Sequence, residues 1–136
     1  MSRLFVEEST ARELTLDREE RACPGCGTKM HVRCQRQRNI VTLEGPVRLS
    51  VKLLQCREDL CGRKKLHGSE QEASFAMPRW GIGWDVFCWI GQRRFSRHWS
   101  VPQIRTELNE SYDIQISDDA IEDYIDSYQN MVAARH

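Results

Sequence analysis

The sequence predicts an α+β fold: a small β-sheet followed by a bundle of three helices. Two observations predict the sheet. Val47, Leu49, Val51 and Leu53 alternate with Arg48, Ser50 and Lys52, the period of a strand with one buried face. Two cysteine pairs flank that stretch, Cys23-Pro-Gly-Cys26-Gly and Cys56-Arg-Glu-Asp-Leu-Cys61-Gly, at the spacing of metal-binding knuckles. A third observation predicts the bundle. From about Gly81 the apolar residues recur at helical intervals and continue to do so almost to His136.

Residues 1–22 read as an arm. Leu4-Phe5-Val6 and Leu14-Thr15-Leu16 are short apolar pieces separated by charge, able to add an edge strand or to stay mobile. Residues 23–68 read as the metal module. Met30, Val32 and Cys34 alternate with His31, Arg33 and Gln35, Gly45-Pro46 marks a turn, and the alternation from Val47 returns the chain. Such a module buries little apolar surface, so a metal must supply the deficit. Residues 69–80 read as a linker ending in Met77-Pro78. Residues 81–136 read as the helical domain. Val86, Phe87, Trp89 and Ile90 share one arc of its first helix. Ser100-Val-Pro-Gln103 is a capping box opening the second, with Val101, Ile104 and Leu108 inward. Ser117-Asp118-Asp119 opens the third, whose inner face runs through Ile121, Tyr124, Ile125, Tyr128 and Val132. The core is expected to comprise Val86, Phe87, Ile90, Val101, Ile104, Leu108, Ile121, Tyr124 and Ile125.

Cys23, Cys26, Cys56 and Cys61 are the expected ligands of one structural zinc ion. Four thiolates leave no open coordination position for chemistry. Two disulfides are the competing reading. No signal peptide is read at the start, and no apolar run approaches spanning length. A cytoplasmic chain with no membrane partner is therefore expected, where a reducing environment favours metal over disulfide. His31 and His67 flank the knuckles as possible replacements for a thiolate. Cys34 and Cys88 are expected to be small buried hydrophobes. No nucleophile–base pair or carboxylate triad stands out, so the chain is not expected to be an enzyme.

The formal net charge of the 136 residues is zero, but the charge is segregated. Residues 1–20 carry a net −3, residues 21–68 a net +8 and residues 69–136 a net −5. A basic block coinciding with the metal module is a candidate nucleic-acid surface. Arg33, Arg36, Arg38, Arg48 and Lys52 are expected along the sheet's outer face, with Arg63, Lys64 and Lys65 after the second knuckle. Arg93, Arg94 and Arg97 extend the surface at the end of the first helix. The third helix carries Asp118, Asp119, Glu122, Asp123 and Asp126, which argues against its lying among phosphates. One continuous basic strip would favour DNA. Scattered arginines paired with carboxylates would favour a protein-interaction or transcription-regulatory module.

The pattern resembles the front end of bacterial insertion-sequence transposases of the DDE type. The resemblance rests on Cys23-Pro24-Gly25-Cys26-Gly27, His31, the Arg33–Arg38 stretch, Gly45-Pro46, the alternation from Val47 to Leu53, Cys56, Cys61 and Arg63-Lys64-Lys65. Trp84-Asp85-Val86 through Ile90-Gly91 and Arg94, then Ser100 to Leu108 and Ser117, is similar to the helix-turn-helix region that follows in that family. Leu66-His67 stands where that family has an aromatic residue. The resemblance implies a zinc ribbon and a helix-turn-helix that bind double-stranded transposon-end DNA; the sequence leaves open whether the chain also forms a homo-oligomer. It also implies that the acidic catalytic domain lies outside this chain.

Overall fold

The computed structural model describes residues 11–57, 61 and 65–134. The alternating stretches pair as a long antiparallel hairpin, β2 (His31–Thr42) and β3 (Gly45–Gln55). A short strand, β1 (Arg12–Leu16), runs parallel along the other side of β3, giving the order β1-β3-β2. Leu14-Thr15-Leu16 thus takes the edge-strand alternative. Leu4-Phe5-Val6 lies outside the described residues.

Directly opposed residues share a face of the sheet. The inner face carries Leu14 and Leu16 from β1, Val47, Leu49 and Val51 from β3, and Arg36, Arg38 and Ile40 from β2. Leu16, Ile40, Val47, Leu49, Val51 and Ala76 form one core cluster on it. Met30 is buried as the alternation predicts, but Val32 and Cys34 are exposed. A bulge at the Val32/Cys34 step breaks the period there. Leu53 is only half-buried, and Leu54 is the fully buried residue. The end of β3 has a second core on its other side, where Leu54 packs with Met30, Cys23 and Cys56.

Residues 69–80, expected as a linker, are structured. They form a short helix, α1 (Glu72–Phe75), and a segment held by Arg38. The Arg38 guanidinium donates to Glu72 Oε2 at 3.2 Å, to the Trp80 carbonyl at 2.8 Å and to the Met77 carbonyl. Trp80 then packs against both the sheet core and the helical core. Its ring lies 4.4 Å from Phe87.

Three longer helices follow: α2 (Trp84–Phe95), α3 (Val101–Tyr112) and α4 (Asp118–Ala133). The capping box at Ser100 is complete, with Ser100 N–H donating to Gln103 Oε1 at 2.8 Å and Gln103 N–H to Ser100 Oγ at 3.3 Å. Ser117 Oγ accepts from Ala120 N–H at the start of α4. Val86, Phe87, Ile90, Ile104, Leu108, Ile121 and Ile125 form the expected core, with Val101 and Tyr124 packed half-buried at its margin. Ile82, Trp89, Ile114 and Ile116 are buried in it as well. Asp113 takes a left-handed conformation, ending α3 so that Ile114 and Ile116 turn inward from the 113–117 connection. Val132 is exposed rather than inward. Cys88 is exposed too, because it shares the solvent side of α2 with Asp85 and Gln92, at i+3 and i+7 from Asp85.

The helices dock at the turn end of the hairpin. Val41 N–H donates to the Gly81 carbonyl and Gly83 N–H to the Val41 carbonyl, each at 2.9 Å. Leu43 N–H donates to Asp85 Oδ2 at 2.9 Å. The cysteine end of the hairpin therefore lies away from the docked end, by about ten strand residues or roughly 30 Å. No helix among the described residues is long and apolar enough to cross a membrane.

Candidate metal centre

The first knuckle is a tight turn closed by its own backbone. Gly27 N–H donates to the Cys23 carbonyl and Cys23 N–H to the Thr28 carbonyl, each at 2.8 Å, and Ala22 bridges Lys29. Gly27 sits at φ 77°, a left-handed conformation that favours glycine. The turn aims backbone donors at sulfur: Gly25 N–H lies 3.4 Å from Cys23 Sγ. β3 delivers Cys56, and Cys61 follows. Leu54 exchanges backbone hydrogen bonds with His67 at 2.8 and 2.9 Å, fixing the chain that leaves the second knuckle.

The four sulfurs converge. Cys23 Sγ lies 3.6 Å from Cys61 Sγ, Cys26 Sγ lies 3.6 Å from Cys56 Sγ, and all four fall within 4.8 Å of one another. These distances exceed a disulfide bond by more than an ångström, and all four cysteines are free. The set could hold one metal ion. Its electrostatics suit that task. Backbone hydrogen bonds from Cys26 and Gly25 draw the Cys23 thiol below its ordinary value. Hydrogen bonds from the Thr28 side chain and backbone bring Cys26 down to about 6. Both favour the thiolate, the form that ligates. His31 and His67 are not members of the convergent set.

The basic residues divide into two groups. Arg36 and Arg38 lie on the inner face and bind Glu72, at 2.6 and 3.2 Å. Arg48 and Lys52 lie on the opposite face, Arg48 NH1 at 3.5 Å from Glu13 and Lys52 Nζ at 3.7 Å from Asp17. The expected single strip of Arg33, Arg36, Arg38, Arg48 and Lys52 is therefore split between two faces by the pairing register. Asp17 also pairs with Arg21 at 2.5 Å. Burial pushes the Asp17 carboxyl up, but Arg21 and Lys52 outweigh it and hold the group below its ordinary value. The second group sits around the cysteines. Lys29 precedes β2, Arg33 occupies its bulge, Arg57 follows Cys56, and Lys65 precedes the Leu54–His67 bridge. All four are exposed, and none has a carboxylate partner among the described residues. Arg63 and Lys64 lie outside the described residues. Lys29 and Arg57 were not singled out by sequence, although both flank a knuckle.

At the helical end Arg93 is committed to aromatic contacts, its guanidinium 4.6 Å from the Trp89 ring and 5.8 Å from Trp99. Arg94 donates to the Trp99 carbonyl at 3.0 Å, and Arg97 is exposed. On α4, Asp119, Glu122, Asp123 and Asp126 are all exposed at i, i+3, i+4 and i+7, one continuous acidic stripe. Asp118 instead accepts from Arg105 at 2.9 Å. No family model, no curated protein and no solved structure matches the chain.

Proposed function

We propose that this chain is a zinc-ribbon module that binds double-stranded DNA through the metal end of its hairpin, serving as the DNA-binding portion of a transposase-like protein. The observation that carries this reading is the grouping of Lys29, Arg33, Arg57 and Lys65, unpaired with carboxylates among the described residues, around four convergent thiolates. Zinc suits the donor set. Four sulfurs at about 2.3 Å from one ion stand roughly 3.8 Å apart in a tetrahedron, close to the 3.6 Å seen here. Zinc held by four thiolates carries a net negative charge, and the surrounding cations offset it while leaving a basic rim for phosphate. The ion then acts as a structural pin, holding the rim residues in place without taking part in chemistry. A second reading, a protein-interaction module, is favoured by the carboxylate pairing of Arg36, Arg38, Arg48 and Lys52.

The test is fluorescence anisotropy with a labelled DNA duplex, before and after zinc is stripped by a chelator and restored. Elemental analysis should find one zinc per chain. Binding should be lost with the metal and recovered with it. A chain that holds zinc but leaves duplex anisotropy unchanged would overturn the DNA reading and leave the interaction module standing.

A further inference from the structure

The four convergent cysteines are not equivalent toward solvent. Cys23 and Cys56 are 3% and 2% exposed and Cys61 is intermediate, whereas Cys26 is exposed. A solute arriving from water therefore meets the Cys26 sulfur first. Cys56 Sγ stands 3.6 Å from it, on the other knuckle. The second contact of that length, Cys23 to Cys61, uses the two cysteines that the first leaves over. A disulfide holds its sulfurs at about 2.05 Å, so either pair closes by a movement of about 1.5 Å. Lys29 lies three residues after Cys26 and Arg57 directly after Cys56. Both are exposed, and neither has a carboxylate partner among the described residues. Cationic, solvent-accessible surroundings are those of reactive cysteines rather than inert ones. Cys34 and Cys88 are exposed as well, but neither belongs to the convergent set, so neither has a second thiol poised beside it there.

We propose that Cys26 is a site of oxidation by peroxide, and that Cys56 resolves the product to a disulfide that dismantles the metal centre. The Cys26 thiolate attacks one peroxide oxygen and the O–O bond breaks. The departing hydroxide takes a proton and becomes water, and Cys26 is left as a sulfenic acid. The Cys56 thiolate then attacks the Cys26 sulfur. An S–S bond forms, and the sulfenic hydroxyl leaves with a second proton as water. The two sulfurs together lose two electrons, and the peroxide gains them. Cys23 and Cys61 alone do not complete a tetrahedral site. A second peroxide closes that pair in the same way. The rim cations are carried by the two knuckles, so oxidation also switches off duplex binding, a consequence that rests on the DNA reading above.

The test uses the zinc-loaded full chain with Cys34→Ser and Cys88→Ser, which remove the two other exposed thiols. Hydrogen peroxide is added, and zinc release is followed with a chromogenic chelator. Zinc should leave, and a thiol reductant with added zinc should restore the loaded chain. A sulfenic-acid trap at limiting peroxide should label Cys26 first, and peptide mapping should find the Cys26–Cys56 disulfide. Cys26→His keeps a zinc ligand but has no sulfur to oxidise, so release should slow by about tenfold or more. Cys61→His makes the same exchange at a less exposed ligand and should leave the rate within about threefold of the parent. If Cys26→His fails to hold zinc, the trap and the mapping decide. Zinc retained through excess peroxide, first labelling at another cysteine, or equal slowing by the two histidine variants would overturn the proposal. Duplex anisotropy of the same samples should fall as zinc leaves. A chain that releases zinc as expected but never bound duplex would overturn the DNA reading alone.

Discussion

Gly91 lies in the middle of α2, where glycine is the poorer helix former by about 1 kcal/mol relative to alanine. The reason for it is Tyr128. A Cβ at position 91 would lie 2.3 Å from the Tyr128 ring, which stacks on Phe95 at 5.7 Å and meets Phe87 at 5.6 Å. Residues 87, 91 and 95 form one stripe, and the ring fills the notch at its centre. Gly91→Ala should therefore destabilise the fold by about 1–3 kcal/mol in chemical denaturation. In a Tyr128→Ala background the same change should become neutral or stabilising, because the propensity gain is then unopposed. Nothing in the sequence around Gly91 announces this role, since the constraint comes from a residue 37 positions away. Asp17 makes a pH prediction at the same scale. Its folded pKa is lowered, so its contribution is present above the ordinary carboxylate value and is lost as pH falls through the lowered one. Asp17→Asn should lower stability slightly near neutrality, where that contribution is present, and flatten the acid limb below about pH 4, where the wild type loses it.

Among elements, those whose signals are local were legible. The capping box at Ser100, the cap at Ser117 and the alternation through Val47, Leu49 and Val51 each depend on residues within a turn or a strand, and each is present. The 69–80 segment was not legible, because its order comes from Arg38, 34 residues before Glu72. The exposure of Val32 and Cys34 follows from a bulge, which no alternation pattern reveals. Which face each arginine takes depended on the register of β2 against β3, for the same reason. Arg38 is 12% and Glu72 15% exposed, so Arg38→Ala takes the donor from Glu72 Oε2 and the Trp80 carbonyl, leaving the nearly buried carboxylate only the half-exposed Arg36 and the Met77 carbonyl only the Trp80 N–H. It should cost about 3 kcal/mol or more and raise amide exchange across 72–80. Arg36→Ala, at a side chain 50% exposed, should cost under about 1 kcal/mol. Ile104, fully buried, should cost about 2–5 kcal/mol as Ile104→Ala.

Over the whole molecule, the cores and the charges are arranged along one hairpin. The cluster of Cys23, Met30, Leu54 and Cys56 stands apart from the helical cluster, which packs at the other end. Stripping the metal should therefore raise amide exchange around the knuckles while the amides of α2–α4 stay protected. The sequence's charge segregation had a spatial counterpart, although its expected location moved. The strand arginines turned inward to Glu72 or across to Glu13 and Asp17, and the residues left without carboxylates gather at the cysteine end. The salt dependence of duplex binding tests that assignment most directly. Each phosphate neutralised contributes about −0.9 to the log–log slope. Replacing Lys29, Arg33, Arg57 and Lys65 together by glutamine should flatten the slope by about three units, with zinc content and helix signal unchanged. Replacing Arg36, Arg48 and Lys52 by glutamine should leave it within about one unit of wild type. The opposite result, a slope indifferent to the first set and collapsed by the second, would place the DNA on the strand faces and contradict the account.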